Sequence, residues 1–439
     1  MVTIRRDRAA TQGALPRKLL FINQYYWPDH ASTAQHLNDL AEHLAARGHD
    51  VHVLCGRGAY RAGLDRPPLR ETRNGVTIHR VPTTSLGRRS TLTRMVDYLS
   101  FYLRATALAL FLPRFDAVAT LTTPPIIGLI GTMLRALKGS KHVYWSMDLH
   151  PDASLALGRM SSKNPVAAAL AAISNLAYRR ADRVVVLGPY MAERIIAKGV
   201  GPDRLATIPV WSRRDEVYPL PREGHPVRSA LGLEAKFVAM YSGNLGLAHS
   251  FFEFLEAARR LRDRADIVFL FVGDGPRLAE VRAAKARERL DNVRLLDYVP
   301  REQLHASLST ADVHLISMRR EMTGIVVPGK LYGAMASGRP ALFVGPERCE
   351  SADAIRDAGC GITIRLGDSA ALVEALVALA DDPARARTLG DRARSAFLDR
   401  YERDICCEAW AALFADLFDA RPVPDPTPAR VDPALAGPI

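Results

Sequence analysis

A lone lysine stands at the mouth of a small-residue helix in VPGKLYGAMASG, where Pro328 and Gly329 lead directly into Lys330. A helix start leaves amides unpaired and its dipole favours an anion, so an ammonium placed there adds a full charge for a phosphate. Two other stretches share the design. SGNLG (Ser242–Gly246) follows an apolar run and precedes a helical one, and GDGP (Gly273–Pro276) repeats the arrangement one unit later. Each alone is equally a turn that needs a positive φ. Three on one parallel sheet point to a nucleotide diphosphate, because ligands of such sheets gather at the carboxyl ends of the strands.

Other phosphate chemistries fit less well. A dinucleotide fold would place GxGxxG after the first strand of a domain. The first strand here runs into NQYYWPDHASTAQ, without glycine, and the second half offers GNLG. PGKLYG lacks the upstream glycine and the Ser or Thr after Lys of a Walker loop. DLHPD (Asp148–Asp152) spaces its carboxylates too widely for a metal clamp. Nucleic acid is not an expected partner. The net charge is +12, but the arginines are dispersed and no zinc finger or RNP motif occurs.

The elements that must position these residues alternate along 439 residues, a length that suggests two domains. KLLFIN, a helix over Ala31–Arg47, Gly48 and VHVLC form a βαβ opening, and VTIHRV, AVATLT, HVYWSM and RVVVLG continue it. The rhythm restarts at FVAMYSG, followed by a helix over Ser250–Arg262, IVFLFVGDG, NVRLL, DVHLIS and the strand-like run TGIVV before Pro328. The strands are continuously apolar, as parallel strands covered on both faces should be. Pro209–Pro226 is the expected linker, and Arg421–Ile439 is rich in Pro, Asp and Ala and is expected to be disordered. The five cysteines show no metal-ligand spacing and are read as reduced, buried thiols. The polar, basic N-terminus carries no apolar stretch of the signal-peptide type, so a cytoplasmic location is expected.

Met95–Leu112 is long enough to suggest a membrane span, but it contains Asp97 and Arg104. Arg94, Asp97, Ser100 and Arg104 make one polar stripe, and Tyr98, Phe101, Tyr102, Leu108 and Phe111 make an apolar face. Two readings stand. The helix packs on the first sheet, or residues 88–112 form a foot on an anionic membrane surface, with Arg88, Arg89 and Arg94 at headgroups and PPIIGLIGTMLRALKGSK assisting.

The order SGNLG, GDGPR, NVRLLDYVPREQLHASLSTADV, VPGKLYGAMASGRPAL resembles the donor domain of family 4 glycosyltransferases of the GT-B fold. LNDLAEHLAARGHDV and WSMDLHPDASLALG agree in the first half. The chain is most similar to the subgroup containing colanic-acid and O-antigen enzymes, from Lys18 to Leu417. The implied fold class is α/β, with two Rossmann-like parallel-sheet domains facing across a cleft. The implied layout is a basic tail over 1–17, an acceptor domain over 18–212 and a nucleotide-sugar domain over 213–403. A helix over 404–420 packs back on the first domain, and a tail covers 421–439.

The resemblance implies a retaining, metal-independent transfer from a UDP- or GDP-linked sugar to a lipid-linked saccharide at the inner face of the cytoplasmic membrane, with no cofactor. It places the donor diphosphate at Gly243, Asn244, Leu245, Gly246, Gly329 and Lys330, helped by Arg319 or Arg320. It places the nucleoside at Gly273, Asp274, Gly275, Val299 and Pro328. Asp148, with His150, would orient the acceptor or take its proton, or else Asp148 caps the following helix. Asp29, His30, Ser32, Thr33 and Asp152 would meet the acceptor, although Asp29 or Ser32 could equally be a helix N-cap. Departures from the family are specific. The Glu-x7-Glu pair of many members would fall at Ile325 and Gly333, a common His falls at Met147, and the loop GNLGLAHS lacks the usual Arg and Lys. These gaps keep two rivals open: a GT-B sugar-nucleotide epimerase, and a glycosyltransferase-like scaffold without activity.

Overall fold

The computed structural model describes residues 15–57, 67–84, 91–161 and 163–419. Most of the expected 1–17 tail, Arg88, Arg89 and the expected disordered tail lie outside them.

The first half contains β1 (Lys18–Ile22), α1 (Ser32–Ala46), β2 (Asp50–Gly56), β3 (Arg70–Arg73), β4 (Val76–Val81), α2 (Thr91–Phe111) and β5 (Ala117–Thr120). It continues with α3 (Gly128–Lys138), β6 (Lys141–Trp145), α4 (Asp152–Ala156), α5 (Pro165–Arg180), β7 (Arg183–Val186), α6 (Pro189–Ala197) and β8 (Leu205–Thr207). These strands form one sheet in the order β3-β4-β2-β1-β5-β6-β7-β8. Only β3 is antiparallel. It turns into β4 through Asn74 and Gly75, both at positive φ, as a tight hairpin requires.

The second half contains α7 (Pro226–Leu231), β9 (Phe237–Ser242), α8 (Phe252–Arg260), β10 (Ile267–Val272), α9 (Leu278–Glu288), β11 (Val293–Leu296), α10 (Leu304–Ser309) and β12 (Val313–Ser317). After it come α11 (Lys330–Ala336), β13 (Ala341–Gly345), α12 (Glu350–Ala358), β14 (Gly361–Arg365), α13 (Ser369–Asp381), α14 (Pro383–Ala396) and α15 (Arg403–Asp419). The second sheet is wholly parallel, in the order β11-β10-β9-β12-β13-β14. Its β10, β12 and β13 are buried along their entire length, which explains their continuous apolar sequences. Strand order reverses between β1 and β5 in the first sheet and between β9 and β12 in the second. These are the positions where open parallel sheets bind ligands.

The chain crosses between the sheets twice, and the crossings lie side by side. The Ser212 amide donates to Tyr401 O at 3.1 Å, and the Arg403 amide donates to Ser212 O at 3.0 Å. Beyond this point α15 returns to the first sheet. Trp410 packs on Trp145 with ring centroids 4.6 Å apart, Phe414 meets Phe21 edge-on, and Trp145 stacks on Trp211 of the first crossing. Buried residues of both sheets belong to one continuous apolar cluster that includes Trp145, Trp211, Trp410, Leu331, Tyr332 and Met335.

Two expectations are corrected. TGIVV is not a strand. Gly324 has φ +67, and a Cβ on it would stand 2.5 Å from Tyr190 O, so the segment bends against α6 of the first half. The helix α2 packs on the first sheet through most of the expected face. Phe101, Ala105 and Ala109 are buried, with Tyr102 and Leu108 beside them, whereas Phe111 is 89% exposed. Its polar stripe is engaged by the chain leaving β4. Ser100 Oγ accepts from the Thr84 amide at 3.1 Å, and Arg104 donates to Pro82 O at 2.6 Å. Met95, Val96, Leu99, Leu103 and Leu110 are therefore left exposed on the remaining side. The run PPIIGLIGTMLRALKGSK is core rather than a second foot. Gly128 lies against Tyr144 and Gly131 against His142, and Lys138 donates to the last carbonyls of α2. Among the described residues, no helix is long and apolar enough to cross a membrane.

Trp410 is fully buried at the joint between α15 and the first sheet. Trp410→Ala should lower unfolding stability by about 3–5 kcal/mol in urea titration, as large aromatic deletions in a core do.

Candidate active site

At the β9/β12 reversal a single ammonium occupies the carboxyl end of the second sheet. Lys330 is the first residue of α11, and its stem lies over Gly243, the residue after β9. Gly243 has φ +117, and a Cβ there would meet Lys330 Cε at 3.1 Å, so glycine makes room for the lysine as well as the turn. The ammonium sits 5.1 Å from the centroid of the Tyr241 ring and 3.1 Å from His249 Nε2. Among the described residues, no carboxylate pairs with it. Burial pushes the Lys330 amine down to about 8. His249 is buried, and its Nδ1 lies 2.5 Å from Ser317 O. A carbonyl only accepts, so Nδ1 carries the proton and the Nε2 lone pair faces Lys330. Burial, and secondly the Lys330 charge, push His249 down to about 3, so the ring is neutral.

The loops around this cation are stitched together. Gly273 has φ +133, and a Cβ there would lie 2.3 Å from Gly243 O. At Gly275 a Cβ would lie 2.6 Å from both Asn244 Oδ1 and Leu245 O. GDG therefore serves close approach of the β10 loop to the β9 loop. This narrows the expected set of phosphate donors. The Gly243 amide donates to Val272 O, Leu245 to Asp274 O at 2.9 Å, Gly273 to Leu296 O and Gly275 to Asp274 Oδ1. Among the described residues, the amides of Asn244, Gly246, Gly329 and Lys330 make no backbone hydrogen bond. Tyr241 Oη donates to Asn244 O at 2.9 Å and holds the loop in place. The Tyr298 hydroxyl reaches Asp274 O at 3.5 Å, which brings half-buried Val299 beside the β10 loop, and Pro328 is buried next to Gly329. Arg319 pairs with Glu321 at 3.6 Å while its amide ties to Ala248 O, and Arg320 is exposed. At Gly333 an added Cβ would meet only Leu308 Cδ1, at 3.4 Å, so packing does not demand glycine there.

The first half meets the segment before Lys330 at Gly324, Thr323 and Ile325. The Leu149 amide, next to Asp148, donates to Ile325 O at 3.1 Å. Asp148 lies beyond the carboxyl end of β6, and burial raises its carboxyl while His150 pulls it partly back. Met147 is buried. Asp152 begins α4, and both its oxygens accept from Lys198, at 2.8 and 2.9 Å. Asp29 Oδ1 accepts from the Ala31 amide at 2.9 Å, in the turn that starts α1. His30 is exposed, Ser32 is the first residue of α1, and Thr33 Oγ1 lies 3.4 Å from Asn23 Nδ2. The structure thus joins Lys330 to Gly243, and it ties Leu149, the neighbour of Asp148, to Ile325 in the segment that leads to Lys330. It sets Asp29, Ser32 and Thr33 together at the end of β1. Tyr241, His249 and Ser317 were not anticipated. His249 stands three residues beyond SGNLG, but its partners come from sequence-distant elements.

Residues 33–211 match the Glycosyl transferase 4-like domain, and residues 236–382 match the Glycosyl transferases group 1 domain. The glycosyltransferase WbjE of Pseudomonas aeruginosa is 27% identical over 70% of this chain and 76% of its own length. The colanic acid biosynthesis glycosyl transferase WcaI of Escherichia coli is 27% identical over 74% of this chain and 83% of its own. Among solved structures, a sucrose-phosphate synthase from Thermosynechococcus elongatus superposes with TM-score 0.74 at 18% identity, covering 92% of this chain and 100% of that one. HepE of Anabaena in complex with UDP-glucose superposes with TM-score 0.69 at 15% identity, over 91% and 100%. The order of motifs, the two facing parallel sheets and these matches agree: the chain is a glycosyltransferase of the family 4-like group, with the GT-B fold.

Proposed function

We propose that this enzyme transfers a sugar from a nucleotide diphosphate sugar to a lipid-linked saccharide in polysaccharide biosynthesis, with retention and without a metal. The observation that carries the donor assignment is Lys330: a desolvated cation without a carboxylate partner, at the strand-order reversal of a parallel sheet. When the bond from the anomeric carbon to the diphosphate breaks, negative charge grows on the leaving oxygen. Lys330 and the unpaired amides around Gly329 and Asn244 form a fixed positive field for that charge. Of the relatives, HepE is described with UDP-glucose and WcaI by colanic acid biosynthesis, which supports a nucleotide-sugar donor and a polysaccharide product. Asp148 is the proposed acceptor-side group. Burial raises its carboxyl and so makes it more basic than an ordinary carboxylate, and its neighbour Leu149 is tied to the donor half through the Leu149–Ile325 contact.

A lipid-linked acceptor requires access to a membrane surface. The exposed strip of Met95, Val96, Leu99, Leu103 and Leu110 on α2 is suited to lie on one, with the opposite side of the helix anchored to the sheet. This keeps the enzyme peripheral, at the inner face of the cytoplasmic membrane.

Lys330→Ala should weaken UDP or GDP binding about tenfold or more in calorimetric titration and leave the free nucleoside unchanged. Equal losses would remove the diphosphate assignment. Asp148→Asn should slow transfer about a hundredfold. The same substitution tests burial by its sign. A carboxyl raised in the folded state destabilises the fold once it ionises, so Asp148→Asn should raise the Tm at pH 7.5, and the gain should vanish as pH falls below the ordinary carboxyl range. Leu99→Glu with Leu103→Glu should abolish flotation with anionic vesicles at unchanged Tm, since both side chains are exposed. Retained flotation would remove the membrane role of α2.

A further inference from the structure

Lys330 is the cation of the proposed donor site, yet nothing in its own helix explains where its ammonium points. The contacts around it do. On one side the Tyr241 ring face lies 5.1 Å from Nζ, and on another Gly243 underlies the side-chain stem. Among the described residues, the hydrogen-bond acceptor it meets is His249 Nε2, at 3.1 Å. The imidazole is itself locked. Its Nδ1–H is held by Ser317 O. Ser317 Oγ donates to Ser250 O at 2.6 Å and accepts from the Ser250 amide at 3.2 Å, so the end of β12 and the β9 loop grip the ring together. Arg277 of the α9 start donates to the His249 carbonyl and is itself paired with Glu280.

We propose that His249 is a positioning residue for Lys330: its neutral imidazole, anchored through Nδ1–H to Ser317, holds the lysine ammonium through Nε2 and aims it at the donor diphosphate. This inference rests on the diphosphate reading of the site. A neutral acceptor has a specific merit here. A carboxylate would also hold the ammonium, but it would cancel the charge that the leaving diphosphate needs. An apolar neighbour would leave a desolvated ammonium donor without a partner. Imidazole orients the cation and leaves its charge available, which is the preorganisation that charge development in a transition state requires. The charged and titratable groups beside the pair are Tyr241 from β9, whose ring meets both, and Arg277 at the start of α9, itself paired with Glu280. Among the described residues no carboxylate pairs with Lys330, burial lowers its amine, and His249 Nε2 is the acceptor its ammonium meets.

The sign of the pH dependence follows. Diphosphate binding needs protonated Lys330, so above neutral pH, where the terminal phosphate is already ionised, affinity falls as pH rises through about 8. Removing the acceptor destabilises the ammonium, so the fall begins at lower pH. The test is calorimetric titration of the intact protein with UDP and GDP, and with uridine and guanosine, from pH 6 to 9. His249→Leu should lower diphosphate affinity about tenfold at pH 7, move the alkaline loss to lower pH and leave nucleoside affinity unchanged. His249→Gln, which keeps an acceptor at similar reach, should restore both the affinity and the pH profile. Should the leucine variant not fold, His249→Asn, with its shorter reach, replaces it against His249→Gln. An unchanged alkaline limb and unchanged diphosphate affinity in the acceptor-less variant, while Lys330→Ala still abolishes binding, would overturn the positioning role and leave the diphosphate site standing. Indifference of diphosphate binding to Lys330→Ala would instead overturn the site reading beneath it.

Discussion

Two sheets each carry half of a site, and the double crossing of the chain holds those halves face to face. Both crossings converge on Ser212, whose amide and carbonyl are bound by Tyr401 and Arg403. The apolar contact of Trp145, Trp211 and Trp410 locks this joint to the first sheet, so α15 behaves as part of the first half although it ends the described chain. Away from the joint, the apolar cluster continues between the halves and polar contacts add to it: the Leu149 amide on Ile325 O, Arg194 on Thr323 O, and Glu350 on the Met191 amide in α6.

The two halves of the proposed site carry different chemistry. The second half holds a cation with neutral support, made by Lys330, His249 and Tyr241. The first half holds Asp148, a carboxyl raised by burial. Burial disfavours the charged form of both groups, which raises the carboxyl and lowers the amine. The carboxylates of Asp29 and Asp152 differ in kind, because one closes the turn before α1 and the other is bound by Lys198. Their present roles are local structure.

The helix α2 shows how an amphipathic pattern places a face without fixing its edges, since Phe101, Tyr102 and Leu108 pack as the pattern implies while Phe111 is exposed. A stripe of polar residues in sequence suggests the water-facing side. Here Ser100 and Arg104 are satisfied by the chain leaving β4, small alanines make the close contact with the sheet, and the larger Met95, Leu99 and Leu103 are left outward. Periodicity gives the angle between residues on a helix, but it does not say which angle meets the neighbour.

The sequence by itself determined the alternation of strands and helices, the parallel character of both sheets and the glycine turns at their carboxyl ends, because continuous apolar runs and Gly-rich strand–helix turns are local properties. It also singled out Lys330. Tertiary structure alone decided which amides remain unpaired, since Gly243 and Leu245 are bound by residues of the next strand and its loop. It decided that TGIVV bends into the first half rather than forming a strand, since the obstacle at Gly324 is Tyr190. It also decided that His249 is neutral and aimed, because the carbonyl that sets its tautomer belongs to Ser317 and the ammonium it holds belongs to Lys330. A hydrogen-bond partner that comes from a sequence-distant strand leaves no trace in local spacing, and the chemistry of this site depends on such partners.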